Sequence, residues 1–278
     1  RRQRQMCIRV RYGGVQTSIY NALRSSQSSS PYYNKSTDAY CYIGTEKPNH
    51  DVVIVGWDDS YSKDNFNTDL EGDGAFICQN SWGDNFGENG FFYISYYDTN
   101  IGTHNVVYTD IENTDNYDHI YQSDLCGWVG QLGYNKDSIY GANVFTAEGN
   151  ENLKAASFYA TGKDSQYELY VVRQFEDETS LEKMIPVASG KLGNAGYYTV
   201  DFNQGIEVDA GERYAVVLYI ITPGSVHPMA IEYAADEATE NVDLDDGESY
   251  ISANGSKWVS VDTVEKSNLC IKAFSDNR

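Results

Sequence analysis

Short runs of aromatic and β-branched residues recur along the second half of this chain and constrain its fold more than any other feature. None of them shows strong helical periodicity, and the 24 tyrosines of the chain are typical of β structure. The predicted strands are Ile139 to Phe145, Ala155 to Ala160, Tyr167 to Val172, Tyr197 to Phe202, Tyr214 to Ile221, Met229 to Tyr233, Lys257 to Val261 and Leu269 to Phe274. Eight such strands predict an all-β, jelly-roll-like sandwich.

The first half is also mainly β. Two apolar runs, His50 to Trp57 and Ala75 to Asn80, flank a polar segment rich in Asp, Asn and Gly, which predicts two strands joined by a long hairpin loop. Further strands are predicted at Val15 to Tyr20, Phe91 to Tyr97 and Val106 to Ile111. Because residues 112–119 are charged and rich in Asn and Asp, we expect one domain over 1–111 and another over 116–278.

Charge excludes several classes of partner. The net charge is −21, and the first thirty residues contribute six arginines and no acid, so the body of the chain is strongly acidic. Such a surface repels phosphate backbones and anionic lipid headgroups, which makes nucleic acid and membrane surfaces poor partners. No apolar run is long enough to span a bilayer. The chain does not begin with Met, and we expect a truncated or processed start.

The cysteines predict neither a metal site nor a disulfide framework. They are five in number, at 7, 41, 78, 126 and 270, without C-x-x-C pairs or His at zinc spacing. A disulfide between Cys126 and Cys270 across a sandwich is left open. Asp69, Glu71 and Asp73 faintly resemble a calcium loop, but the downstream glutamate of an EF-hand is missing. No cofactor and no metal are therefore predicted.

One sequence feature indicates a catalytic site: a histidine followed thirty residues later by Asn-Ser-Trp-Gly. His50 opens one predicted strand and Asn80 ends the next, so antiparallel pairing could bring them together. A thiol nucleophile needs an imidazole to take its proton and a third group to orient that ring. An Asn side-chain oxygen can orient the ring without adding charge. The other histidines, His104, His119 and His227, lack such surroundings and are expected at the surface.

These residues resemble the papain family of cysteine peptidases. Asn49-His50-Asp51 with the following apolar run looks like the histidine motif of that family, and the segment from Gln79 to Phe91 looks like its asparagine motif. The resemblance covers about residues 12 to 110 and implies the barrel-like right-hand half of the fold. It implies His50 as general base, Asn80 as its orienter and Trp82 as the indole that shields them. Phe86 stands where the family more often has Trp.

The nucleophile expected from this resemblance is missing. In papain-like enzymes the catalytic Cys lies roughly 130 residues or more before the His, and 49 residues precede His50. Cys7 lacks the Gly/Ser surroundings and following Trp of the nucleophile motif, and Gln5 matches the oxyanion-hole glutamine in residue type only. Cys41 is too close to His50 in sequence to face it across a cleft, and Cys78 is expected to be buried. We therefore expect the chain alone to be inactive towards peptide or protein substrates.

The second half resembles the lectin-like domain that follows the peptidase domain in some cysteine peptidases of Gram-positive bacteria. The segments Gly130 to Tyr134 and Ala210 to Val216 carry this weaker likeness. It implies a glycan partner and a place outside the cell or on its surface. The alternative is a non-catalytic cell-surface or glycan-binding protein that uses the peptidase half as a scaffold.

Overall fold

The computed structural model describes residues 13–245, 247–261 and 266–278. The chain divides into two compact units, Arg1–Glu112 and Asn113–Arg278, which are called unit 1 and unit 2 below. Cys7 and Gln5 lie outside the described residues. Within the described ranges, none of the helical segments has the length and apolar character that crossing a bilayer requires.

Unit 1 is built on one seven-stranded sheet with the order β2-β3-β6-β5-β4-β1-β7. Its strands are β1 Val15–Ile19, β2 Tyr33–Asn34, β3 Ala39–Tyr40, β4 His50–Asp58, β5 Ala75–Gln79, β6 Phe91–Ser95 and β7 Asn105–Val106. All neighbours are antiparallel except β3 and β6. A short 3₁₀ turn, Lys63–Asn65, lies in the β4–β5 connection.

The pairing of β4 with β5 contains a β-bulge that sets the register of this sheet. Ile54 pairs with Cys78 and Gly56 with Ile77, so Val55 is an extra residue on the β4 side. Val52 and Ile54 face the core of unit 1 together with Cys78. The alternation of core-facing and outward residues in β4 follows from the period of two in a strand.

Unit 2 contains three sheets. Their strands are β8 His119–Tyr121, β9 Gly130–Leu132, β10 Ser138–Thr146, β11 Glu151–Ala160, β12 Ser165–Val172, β13 Ile185–Leu192, β14 Gly196–Val208, β15 Arg213–Ile221, β16 Met229–Glu232, β17 Ser249–Ser252, β18 Val259–Ser260, β19 Asn268–Leu269 and β20 Ile271–Asn277. The orders are β13-β12-β15-β10-β17-β18, β14-β11-β20-β8 and β19-β16-β9.

The main core of unit 2 lies between the six-stranded and the four-stranded sheet. Leu169 and Val216 from the first sheet and Phe158 and Ile271 from the second belong to one buried cluster. Asn143 is also buried, and its Nδ2 donates to the carbonyl oxygens of Leu269 and Ile271 at 2.9 and 2.8 Å. The prediction of a mainly β chain with a β-sandwich in its second half is confirmed.

Several short strands were not predicted from the sequence. β2 and β3 have two residues each, and β17 lies in a segment rich in Ser, Asp and Gly, so neither shows a readable alternation. Two other strands are shorter than predicted. The strand predicted from Val106 to Ile111 is only Asn105–Val106, and the strand predicted from Lys257 to Val261 is only Val259–Ser260. Ile111 and Val259, one from each predicted strand, are exposed by 85% and 42%.

Asp124 is a buried carboxylate of unit 2. Its side chain is fully buried, and Lys272 Nζ lies 3.4 Å from Oδ2. Burial raises the pKa of Asp124 to about 6 in spite of Lys272, and Glu232 adds to the increase. Burial raises the pKa values of Cys270, Tyr159 and Tyr197, and the nearby Asp124 carboxylate adds to each increase. The folded protein therefore holds the Asp124 proton more tightly than the unfolded chain does.

We expect Asp124→Asn to change how stability depends on pH. The free energy of unfolding of the wild type should fall relative to the variant as pH rises from 4 to 7, because the unfolded chain releases the Asp124 proton at a lower pH than the folded protein does. The increase in the pKa of Asp124 from 3.8 to about 6 corresponds to a loss of roughly 3 kcal/mol in the free energy of unfolding over this pH range. Urea unfolding at several pH values measures it, with the exposed Asp164→Asn as control. If the difference in the free energy of unfolding between the wild type and Asp124→Asn did not change with pH, the expectation would be contradicted.

Candidate active site

His50 and Asn80 come together through the strand register. Continuing the β4–β5 pairing past Val53 and Gln79 sets Val52 opposite Asn80. Residues opposite each other, and those two positions apart on one strand, share a face of the sheet. His50, Asn80 and Trp82 therefore lie on one side, at the end of β4 and just beyond the end of β5.

The two side chains are hydrogen-bonded. His50 Nε2 lies 2.9 Å from Asn80 Oδ1, and the same oxygen accepts from the Ser81 backbone N–H at 2.8 Å. Because that oxygen is the acceptor in both contacts, Nε2 carries the proton in the neutral ring. Nδ1 then has its lone pair available for another proton. Asn80 is 7% exposed, so this bond is largely shielded from water, whereas His50 is only partly buried.

Trp82 lies against His50. Their ring centroids are 5.4 Å apart with an interplanar angle of 40°. On its other side, Trp82 meets the edge of Phe86 at 5.2 Å, and Phe86 is buried and stacks on Tyr33 at 5.5 Å. Phe86 thus anchors the indole to the core of unit 1.

The segment after Asn80 folds back on itself and fixes Asn80 in place. The Asn80 backbone N–H donates to Gly90 O at 2.9 Å. Gly87 adopts a φ of +56°, and a Cβ there would lie 2.1 Å from Phe91 O, so only glycine fits. Gly87 of the asparagine motif is therefore required by the backbone of this turn.

Asn49 is a positioning residue that sequence reasoning did not assign. Its backbone N–H donates to Ile19 O at 3.0 Å, its Oδ1 accepts from Asn21 N at 2.7 Å, and its Nδ2 donates to Asn21 O at 3.2 Å. These three bonds extend the β1–β4 pairing past His50, which pairs with Ile19. The Asn directly before the motif histidine was the available signal.

The described cysteines divide into buried and exposed thiols. Cys41 and Cys78 are fully buried. Burial raises the pKa of Cys41 to about 12 and that of Cys78 well above its usual value. Cys126 and Cys270 are both free, Cys126 exposed and Cys270 buried, so the disulfide considered between them is not present. Buried thiols of raised pKa are poor nucleophiles.

Metal ligands are not clustered in the described part of the chain, where no three His, Cys, Asp or Glu side chains are placed to share an ion. In the segment considered as a calcium loop, Asp73 Oδ1 accepts a hydrogen bond from the Lys63 backbone N–H at 2.9 Å. This bond joins the two ends of the β4–β5 connection.

A second His–Asn pair lies in unit 2. His119 Nε2 is 3.0 Å from Asn277 Oδ1, and its Nδ1 is 3.4 Å from a Glu148 oxygen. The Asn277 contact and the surrounding carboxylates raise the pKa of His119. The expectation that this histidine lacks an Asn partner was wrong, because its partner comes from the last strand, 158 residues further along the chain. Both nitrogens of His119 are engaged, whereas within the described part of the chain only Nε2 of His50 has a hydrogen-bond partner.

The fold of unit 1 is that of the right-hand half of a papain-like cysteine peptidase. Residues 10–111 match the model of the papain family cysteine proteases, and residues 120–275 match that of the lectin-like domain. The chain belongs to the lectin-like domain family and carries part of a papain family cysteine protease domain before it.

Two solved structures are similar over nearly the whole chain. One is a clostridial cysteine protease, Cwp84, after propeptide cleavage, with a TM-score of 0.82 and 28% identity over 98% of this chain and 68% of the other. The second contains the cysteine protease and lectin-like domains of Cwp84, a surface layer associated protein of Clostridium difficile. It has a TM-score of 0.79 and 26% identity over 98% of this chain and 60% of the other. No curated protein sequence matched.

We expect neutral His50 to be the Nε2–H tautomer, since Asn80 Oδ1 can only accept. Asn80→Ala removes the acceptor and should produce a mixture of tautomers, whereas Ser81→Ala keeps the backbone N–H and should leave the tautomer unchanged. Nitrogen-15 NMR of the histidine rings, assigned with His50→Gln, measures this. A wild-type ring protonated at Nδ1 when neutral would contradict the geometry.

Proposed function

We propose that unit 1 supplies the acid–base half of a cysteine peptidase, with His50 as general base and acid and Asn80 as its orienter. The observation that carries the proposal is the 2.9 Å bond from His50 Nε2 to Asn80 Oδ1, which leaves Nδ1 as the basic nitrogen. The match of residues 10–111 to the papain family supports it.

In the proposed reaction a cysteine thiol outside the described residues transfers its proton to His50 Nδ1. The resulting thiolate attacks the carbonyl carbon of a peptide bond, and the imidazolium then protonates the leaving amine. Water hydrolyses the acyl-enzyme with His50 again as base. Asn80 is neutral, so it holds the ring in one orientation while the charge on the ring changes. Trp82 keeps water from the Asn80 bond.

The proposed setting is the cell surface of a bacterium, with a peptide or protein as substrate. Its support is the similarity to the surface layer associated protein described above. The acidic body of the chain argues against nucleic acid and anionic lipid as partners. This chain would then be the C-terminal part of the working enzyme.

We expect the purified chain neither to hydrolyse peptides nor to react with an epoxide probe for active-site thiols, because the described cysteines of unit 1, Cys41 and Cys78, are buried thiols of raised pKa. Mass spectrometry after labelling and a fluorogenic peptide assay measure these outcomes. Turnover that disappears in Cys7→Ser would show that the nucleophile lies within the chain.

The same assay on a product of the gene extended upstream tests the peptidase proposal. If the extension carries a Cys in a Gln/Cys/Trp context, the product should hydrolyse peptides, and His50→Ala should lower kcat/KM by about 10²–10⁴-fold. An extended product that folds and has no hydrolytic activity would favour the alternative, a non-catalytic protein in which unit 1 is a scaffold.

A glycan is the proposed ligand of unit 2. The match of residues 120–275 to the lectin-like domain favours this second function. It is compatible with either role of unit 1, since a sugar-binding domain can hold a peptidase or a scaffold at a cell surface.

We expect residues 116–278 expressed alone to fold into a β-rich domain with one cooperative melting transition. The physical reason is that this segment contains all strands of the buried cluster between its two larger sheets. Circular dichroism on heating measures it, with the full chain as reference. A segment without a melting transition would contradict the domain boundary proposed at 112–116.

A further inference from the structure

A small cavity opens on the outer face of the six-stranded sheet, the side away from the main core. Its volume is about 260 Å³, less than the roughly 300–1,000 Å³ of pockets that enclose drug-sized ligands. Its lining includes Gln166, Glu168, Ser189, Lys191 and Tyr219. It therefore has room for a single ring of a longer ligand.

The strand register builds this cavity. Ser189 on β13 pairs with Glu168 on β12, which pairs with Tyr219 on β15. In the neighbouring row, Lys191 pairs with Gln166. Because paired residues share a face, polar groups from two strands converge beside one aromatic ring.

The Tyr219 ring is held upright by a second ring. Tyr140, which pairs with Tyr219, stacks on it with centroids 4.2 Å apart and an interplanar angle of 23°. Tyr140 is supported by the edge of Trp258, at 6.2 Å and 78°. Tyr140 covers one face of the Tyr219 ring, and Tyr219 lines the cavity whereas Tyr140 does not.

The polar groups around this ring are available for a ligand. Within the described residues, the side chains of Gln166, Ser189 and Lys191 have no hydrogen-bond or ion-pair partner, and all three are exposed. Glu168 accepts from the Tyr170 hydroxyl through Oε2. The cavity thus offers donors from Lys191 and acceptors from Glu168, with Gln166 able to do both.

We propose that this cavity, here called the Tyr219 site, binds one ring of a neutral glycan. The inference rests on the proposed glycan-binding role of unit 2. The C–H face of a sugar ring stacks on the free face of Tyr219, and its hydroxyl groups exchange hydrogen bonds with Gln166, Glu168 and Lys191. Hydroxyls both donate and accept, which matches a mixed set of donors and acceptors.

Charge selects a neutral glycan over an anionic one. Residues 113–278 contain 27 acidic and 11 basic residues, so unit 2 repels polyanions. At the site itself, Lys191 offsets Glu168. The larger cavity of unit 2, about 520 Å³, lacks an aromatic ring in its lining, and its Arg173 is already bound to Glu212 at 2.6 Å.

The test uses the full chain on an array of neutral and anionic glycans, followed by calorimetric titration of the bound ones. A neutral glycan should bind, and Tyr219→Ala and Gln166→Ala should each weaken it at least tenfold. The matched control is Tyr197→Ala, an exposed tyrosine on the four-stranded sheet, which should change the affinity less than twofold.

Each contrary outcome has a distinct meaning. A neutral glycan that binds both variants as tightly as the wild type would overturn the Tyr219 site and leave the glycan-binding role intact. Binding of anionic glycans only would overturn the chemistry proposed for the site. An array without any bound glycan would overturn the glycan-binding role itself. If circular dichroism shows that Tyr219→Ala does not fold, the glycan affinities of Gln166→Ala and Lys191→Ala, two substitutions of exposed residues, test the site instead.

Discussion

The hydrogen-bonded ladder between β4 and β5 is the interaction on which unit 1 depends. It joins the strand that begins at His50 to the strand that ends before Asn80, and the same two strands contribute Val52, Ile54 and Cys78 to the core. Core packing and site geometry are therefore consequences of one register. A substitution that loosened the ladder would separate the imidazole from its orienter and open the core together.

The two candidate sites use a β-sheet in different ways. The His50 site lies at strand ends, where a side chain can project past the sheet and approach a reacting group. The Tyr219 site lies on a sheet face, where neighbouring strands present side chains in rows of fixed spacing. The end of a strand suits catalysis that needs one basic nitrogen accessible to a reacting group. The face of a sheet suits the binding of a flat ligand that contacts several side chains.

Sequence alone predicted the parts of the structure with strong local signals. The apolar run from Val52 to Val55 and the Asn80-Ser81-Trp82-Gly83 segment were sufficient to predict adjacent strands and a contact between His50 and Asn80. The two-residue strands β2 and β3 had no readable pattern, because their pairing depends on neighbours distant in sequence. The His119–Asn277 contact could not be predicted either, because the two residues are distant in sequence. Gln166, Glu168 and Lys191 lie near Tyr219 only because three strands pair side by side, which no local pattern shows.

The extra residue in β4, Val55, has a consequence for how this protein can tolerate insertions and deletions. Between Asp58 and Gly56 the pairing with β5 follows one register, and beyond Ile54 it is shifted by one residue. Without that shift Asn80 would pair with Val53 and its side chain would face the other side of the sheet, away from His50. Length changes in the connection between Asp58 and Ala75 would leave this register unchanged, but they would displace Phe66 and Leu70, which are buried in one cluster with Cys41. Deletion of Val55 would join the two registers into one regular ladder and leave Val52 opposite Asn80, whereas a regular pairing that kept Val55 would turn Asn80 away from His50.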